Sequence, residues 1–135
     1  MNEFELIQDY FNWSIKDPSI ALGIGDDAAL FSIKDGQQLV TTTDTLSEGV
    51  HFFKDALPSD IAYKSLAVNL SDIAAMGASA RYFTLALTLP KIDHDWLEEF
   101  SKSLRQLSDY HKVSLIGGDT TKGPLNITIT MIGVV

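Results

Sequence analysis

Arg81-Tyr82-Phe83-Thr84-Leu85-Ala86-Leu87-Thr88-Leu89-Pro90 alternates along its length. Phe83, Leu85, Leu87 and Leu89 fall on one side, and Tyr82, Thr84, Ala86 and Thr88 on the other. A period of two marks an extended strand with one apolar face, and Pro90 closes it. Such a face needs a cover, and the flanking segments can supply one. Downstream, Asp93 or Asp95 is placed to cap a helix whose apolar stripe is Trp96, Phe100, Leu104 and Leu107, while Glu98, Glu99, Lys102 and Arg105 form its wet face. Upstream, residues 58–76 read as a second helix, with Ser59 or Asp60 as cap and Gly77 as stop.

Working outward, residues 3–14 carry Leu6, Ile7, Tyr10 and Phe11 at helical spacing, and Pro18 ends that pattern. Residues 20–33 read as strand, glycine turn, strand. Asp35-Gly36 is a hairpin-type turn. Residues 39–43 form a β-branched strand, residues 113–116 a short buried strand, and residues 125–135 a last alternating one. The order is not a strict βαβ alternation. It predicts an α+β fold, a mixed β-sheet with helices packed on one face. The chain stops inside an apolar strand, Ile132-Gly133-Val134-Val135, which suggests the front part of a longer protein.

The 135 residues suffice for one domain with one core. Apolar residues make up 45% and are spread evenly, which argues against disorder. With no cysteine, disulfides, zinc–thiolate sites and cysteine nucleophiles are excluded, and a reducing, cytoplasmic setting fits. The start Met1-Asn2-Glu3-Phe4 has no basic region before an apolar core, and no apolar run approaches the ~20 residues of a membrane span. A net charge of -8 disfavours nucleic acid.

The acids carry the chemical signal. Asp26-Asp27 sits on the glycine turn, Asp44 follows Thr41-Thr42-Thr43, and Asp119 follows Gly117-Gly118. Each is expected at a strand end, where neighbouring strands would bring the carboxylates together. Asp72 lies with Ser65 and Asn69 on a polar stripe of an otherwise apolar helix, so a buried carboxylate needing a cation or strong donors is expected there. Clustered carboxylates repel unless a cation neutralises them, and only Lys64 and Lys122 lie close in sequence. Oxygen-only clusters suit Mg²⁺, which commonly bridges phosphates in phosphoryl transfer. A two-metal phosphohydrolase would use the same acids. There is no G-x-x-x-x-G-K-[ST] loop and no protein-kinase signature. His51, by spacing alone, is an ordinary histidine.

GIGDDAAL (23–30), TTDTLSEGVHF (42–52), AYKSLAVNLSDIAAMGA (62–78), LALTLP (85–90) and LIGGDTTKGPLNIT (115–128) together resemble the N-terminal half of the thiamine-monophosphate kinase family, within the aminoimidazole ribonucleotide synthetase-like superfamily. The segment DTLSEGVHF (44–52) separates that kinase from its relatives, and the lack of cysteine speaks against the usual selenophosphate synthetase loop. The resemblance implies transfer of phosphate from ATP to thiamine monophosphate, with several Mg²⁺ ions. It implies Asp27, Thr42, Thr43, Asp44, Asp72 and Asp119 as metal ligands, Gly118 and Asp119 as ATP contacts, and His51 on the thiamine phosphate side. It implies direct in-line transfer and a homodimer whose N-terminal domains share a barrel. Residues 1–135 would then be the N-terminal ATP/Mg²⁺-binding and dimerisation domain, without the family's C-terminal domain. The alternatives are a non-catalytic dimerisation and metal-binding module, or another enzyme of the superfamily.

Overall fold

The structure is a computed structural model describing residues 2–25 and 28–135. Among the described residues, three helices and six strands follow in the order α1 (Glu3–Tyr10), β1 (Ile20–Leu22), β2 (Leu30–Phe31), β3 (Leu39–Ser47), α2 (Pro58–Ala75), β4 (Ser79–Leu89), α3 (His94–His111), β5 (Ser114–Lys122) and β6 (Asn126–Val134). Four strands form one mixed sheet in the order β3-β6-β4-β5, antiparallel except for the parallel pair β4–β5. β1 and β2 form a small antiparallel pair of their own.

Alternation in the central strands decides the layering. Phe83, Leu85 and Leu87 of β4 and Ile127, Ile129 and Met131 of β6 are buried on one face. There they meet Leu66 and Ile73 of α2 and Leu97, Phe100 and Leu104 of α3 in a single core. The other face carries hydroxyls paired across strands: Thr43 with Thr130 at 2.9 Å, Thr45 with Thr128 at 2.8 Å, and Thr88 with Thr121 at 3.0 Å. This is the expected α+β arrangement. The sheet is open, with β3 and β5 as edges, and no barrel closes among the described residues.

The helix ends follow local chemistry. Asn2 and Glu5 form a capping box on α1. α1 stops at Tyr10 rather than running to residue 14, because Phe11 turns into the core, edge-on to Phe100 at 6.3 Å. Asp93, of the two candidates, caps α3 by accepting from the Trp96 amide. Neither Ser59 nor Asp60 caps α2. Leu57 holds that position without a side-chain bond, and Pro58 presets the first turn. Gly77, at φ 69°, ends α2 as expected. Asp35-Gly36 is a turn but not a hairpin, since β2 and β3 do not pair.

Two strands are longer than expected, which moves the acids. β3 stays in register with β6 over nine residues, Leu39 opposite Val134 through Ser47 opposite Asn126. β5 runs on through Gly117-Gly118-Asp119 to Lys122 beside β4. Asp44 and Asp119 are therefore mid-strand, not at strand ends. The β-branched threonines favour extended backbone, and the long partner strands hold it.

The β1–β2 pair lies against the sheet through Phe31, whose ring is 4.3 Å from that of Tyr82. Asp17 anchors it, bonding Arg81 at 3.1 Å and the Ser19 amide at 2.9 Å. Burial pushes the Asp17 carboxyl up, but the Ser19 and Arg81 bonds outweigh it and the net shift is downward. A depressed folded pKa contributes stability above the ordinary carboxylate value, lost as pH falls through the folded value. Arg81→Ala is expected to cost about 1–3 kcal/mol near neutrality. Urea denaturation near neutrality and at acid pH should show wild type and variant converging as pH falls through the folded value, which lies below the ordinary carboxylate range. An equal gap at both pH values would contradict this.

Candidate functional site

The period of β3 sorts its polar residues onto two faces. Thr42 and Asp44 point toward α2, with Val40 and Leu46, whereas Thr43 and Thr45 lie on the hydroxyl face. Thr42 Oγ1 donates to Asp72 Oδ2 at 3.3 Å. Asp44 lies beside the same carboxylate. Its pKa is raised, first by partial burial, then by the neighbouring Asp72 carboxylate, while His51 acts the other way. Asp44 Oδ2 is closed to solvent and has no hydrogen-bond partner.

The expectation of a buried Asp72 is overturned. Asp72 is exposed at the rim of α2, whose covered face is Ile61, Ala62, Ser65, Leu66, Asn69 and Ile73. The apolar look of this helix comes partly from small alanines, and Ala74 and Ala75 are themselves exposed. The shut-in carboxylate oxygen belongs to Asp44.

His51 joins this group from the loop after β3. Its Nδ1 accepts from the Ser47 amide at 2.9 Å, and Lys64 Nζ donates to its carbonyl. Thr42, Asp44, Asp72 and His51 thus form one neighbourhood. The Thr43 side chain is not part of it.

Gly118 and Asp119 are elsewhere. They lie on β5, at the opposite sheet edge from β3. Three strand spacings separate the edges, about 14 Å. A cavity of about 510 Å³ opens beside them, walled by α1 through Ile7 and Phe11, by Gly23 to Gly25, and by Ala28 and Ala29. The glycine turn and the Gly-Gly-Asp segment thus converge on one cavity, although Asp27 itself lies outside the described residues.

Glu3 was not foreseen. Its Oε1 accepts from the Thr120 amide at 3.5 Å. Its pKa is raised, chiefly by a hydrogen bond with Asp119 and against the opposing Thr120 amide. Across 117 residues of separation no spacing could have signalled this contact.

Among the described residues, no three His, Asp or Glu side chains gather closely enough to hold a metal by themselves. Mg²⁺ does not need three. It typically takes one or two carboxylates and completes its octahedron with water and substrate phosphates. Two adjacent carboxylates, a hydroxyl and an unpartnered acceptor oxygen fit that demand.

Residues 25–135 match the family described as AIR synthase related protein, N-terminal domain, and the chain belongs to that family. Within it, the likeness is to thiamine-monophosphate kinases. The chain is 54% identical over 134 residues to the Escherichia coli K12 thiamine-monophosphate kinase, covering 98% of this chain and 41% of that protein. The crystal structure of thiamine-monophosphate kinase from Stenotrophomonas maltophilia K279a is 52% identical, with TM-score 0.84 over 89% of this chain and 38% of that one. A structure described as AaThiL complexed with AMPPCP and TMP is 30% identical, with TM-score 0.72 over 83% of this chain and 37% of that one. The chain spans about two fifths of the length of these relatives. No helix among the described residues is long and apolar enough to cross a membrane.

Proposed function

We propose that this chain is the N-terminal, ATP- and Mg²⁺-handling part of a cytoplasmic thiamine-monophosphate kinase, which moves a phosphoryl group from ATP to thiamine monophosphate and yields thiamine diphosphate. The observation that carries the reading is the Asp44 oxygen, shut from water and unpartnered beside Asp72, in a chain 54% identical to such a kinase. The relative complexed with AMPPCP, an ATP analogue, and TMP supports the substrate pair.

Thr42, Asp44 and Asp72 would hold Mg²⁺ at one sheet edge, with Thr43 adding at most its backbone. Asp27 and Asp119 are the proposed ligands near the cavity, and Gly118 lets the β5 backbone approach ATP. The metal would neutralise these acids and supply positive charge to attract the phosphates of ATP. His51 is assigned to the acceptor phosphate, held in place by its bond from the Ser47 amide. A phosphate acceptor is already ionised at neutral pH, so no strong base is needed. Positioning and charge neutralisation then supply most of the rate.

One observation favours a narrower role for the isolated chain. Its two groups of site residues stand at opposite edges of one open sheet. A homodimer that brings two hydroxyl faces together into a shared barrel would cover both the faces and the edges. The chain alone would then be a dimerising, metal-binding module.

A coupled assay with ATP, Mg²⁺ and thiamine monophosphate, run on this chain and on a full-length form, tests both readings. Thiamine diphosphate from the full-length form alone is the expected result. None from either would sink the kinase reading. A monomer mass by light scattering at micromolar concentration would count against the shared barrel.

A further inference from the structure

We propose that Asn69 belongs to the metal site as well, its side-chain oxygen and that of Asp44 forming a two-oxygen seat for a divalent cation beneath α2. The proposal rests on the metal role given above to Asp44 and Asp72, and it extends that role to a residue assigned none.

Asn69 is fully buried, 0% exposed, yet its Oδ1 has no hydrogen-bond partner. Among the described residues only one other shut-in side-chain atom shares that condition, Asp44 Oδ2. Buried polar atoms are satisfied in the great majority of cases, so two exceptions in one small region ask for a common cause.

The two exceptions lie level with each other on facing elements. α2 packs on β3 and runs in the opposite sense. Thr42 of β3 meets Asp72 near the end of α2, whereas His51, beyond β3, meets Lys64 near its start. Asn69 stands three residues before Asp72, about 4.5 Å back along the helix. Asp44 stands two residues after Thr42, about 6.6 Å along the strand in that same direction. Asn69 is on the covered side of α2, which packs on β3 as well as on α3, β6 and β4, and Asp44 is on the helix side of β3.

Neither oxygen can satisfy the other. An ionised carboxylate and an amide oxygen are both acceptors. Turning the amide over does not help. Asn69 Nδ2 donates to the Ser65 carbonyl at 3.0 Å, and a flip would set oxygen against oxygen there. The Ser65 hydroxyl is also engaged, donating to the Ile61 carbonyl at 2.7 Å. The helix thus fixes the amide with its oxygen outward, and what must lie between is a group that oxygen atoms receive. A hard cation suits an amide oxygen and a carboxylate equally well.

Mn²⁺ alone is the probe, titrated into the 135-residue chain and followed by the electron paramagnetic resonance signal of the free ion. Asn69→Leu keeps the volume and removes the oxygen, and it is expected to weaken Mn²⁺ binding by about 10- to 100-fold. Asn69→Asp keeps an oxygen at that place and is expected to bind at least as tightly as wild type. A folded Leu variant, checked by near-ultraviolet circular dichroism, that binds within about twofold of wild type would mean a buried water only and would overturn the proposal. Should the Leu variant not fold, the Asp variant decides, and a tenfold weaker affinity there overturns it. Wild-type chain that ignores Mn²⁺ would sink the metal reading of Asp44 and Asp72 itself, an outcome distinct from the other two.

Discussion

Gly118→Ala is expected to lower the melting temperature of the chain by more than about 10 °C. β4 and β5 run parallel, but their register slips between Phe83 and Thr84, so Gly117 stands opposite Thr84 and Gly118 opposite Leu85. At Gly118 the two backbones come too close for a side chain. A Cβ there would lie 1.9 Å from the Leu85 carbonyl oxygen and 2.8 Å from its carbon, and the φ of 154° is one that L residues avoid. The obstacle is backbone, so no rotamer change relieves it. Leu85 cannot retreat, because it is buried between Phe83 and Leu87 and is laddered to Ile129 on its other side. A backbone clash in a central ladder belongs with the rare substitutions that cost about 4 kcal/mol or more, against a total stability of roughly 5–15 kcal/mol. The control is next door. A Cβ on Gly117 would meet only the Thr84 methyl at 4.0 Å, so Gly117→Ala is expected to be nearly silent. Thermal melts should separate the two by more than about 10 °C. A Gly118→Ala chain melting within about 3 °C of wild type would refute the close approach.

The same strands show what a sequence can and cannot carry. The alternation of 81–89, the stripe of α3 and the Asp93 cap are local properties, and each became the expected element. The length of β3 is not local. Thr41 to Thr45 looks like a strand ending in an acid, and only the nine-residue register with β6 shows that the backbone runs on. The face of each residue was nonetheless open to reading, since a period of two already puts Thr42 and Asp44 together and Thr43 opposite. The separation of Asp119 from Asp44 follows from strand order, which no segment records by itself. Glu3 reaches Asp119 through the way α1 docks on the β5 edge, a tertiary fact with no trace in spacing. Asp72 illustrates a compositional trap: alanine counts as apolar in a pattern but demands no burial, so an alanine-rich helix can leave a carboxylate at its rim.

Asp44→Asn is expected to abolish the response of the chain to Mg²⁺ while leaving the metal-free fold at least as stable near neutral pH. The two halves of the prediction have one cause. The Asp44 pKa is raised in the folded state, by partial burial first and by Asp72 next, with His51 opposing. A carboxyl raised on folding contributes stability below its ordinary pKa, and that contribution is lost as pH rises through the folded value. With the carboxyl raised in this way, ionising Asp44 in the metal-free chain sets its charge beside another carboxylate, with one oxygen unpartnered and cut off from water. Asparagine keeps the shape and removes the charge, so this strain disappears. What disappears with it is the attraction for a cation. A ligand that binds only the folded state adds RT ln(1 + [L]/Kd), about 2.7 kcal/mol at one hundred times Kd, which is roughly 5–15 °C for a chain of this size. Thermal melts with and without Mg²⁺ should show that rise in wild type and none in Asp44→Asn. In the metal-free melts, the wild type should gain on the variant as pH is lowered. Asp72→Asn, at an exposed position, is expected to weaken the Mg²⁺ response with little change in the metal-free melt. An Asp44→Asn chain that keeps the full Mg²⁺-induced rise would remove Asp44 from the site. One that is markedly less stable without metal would instead make the carboxylate a structural acceptor.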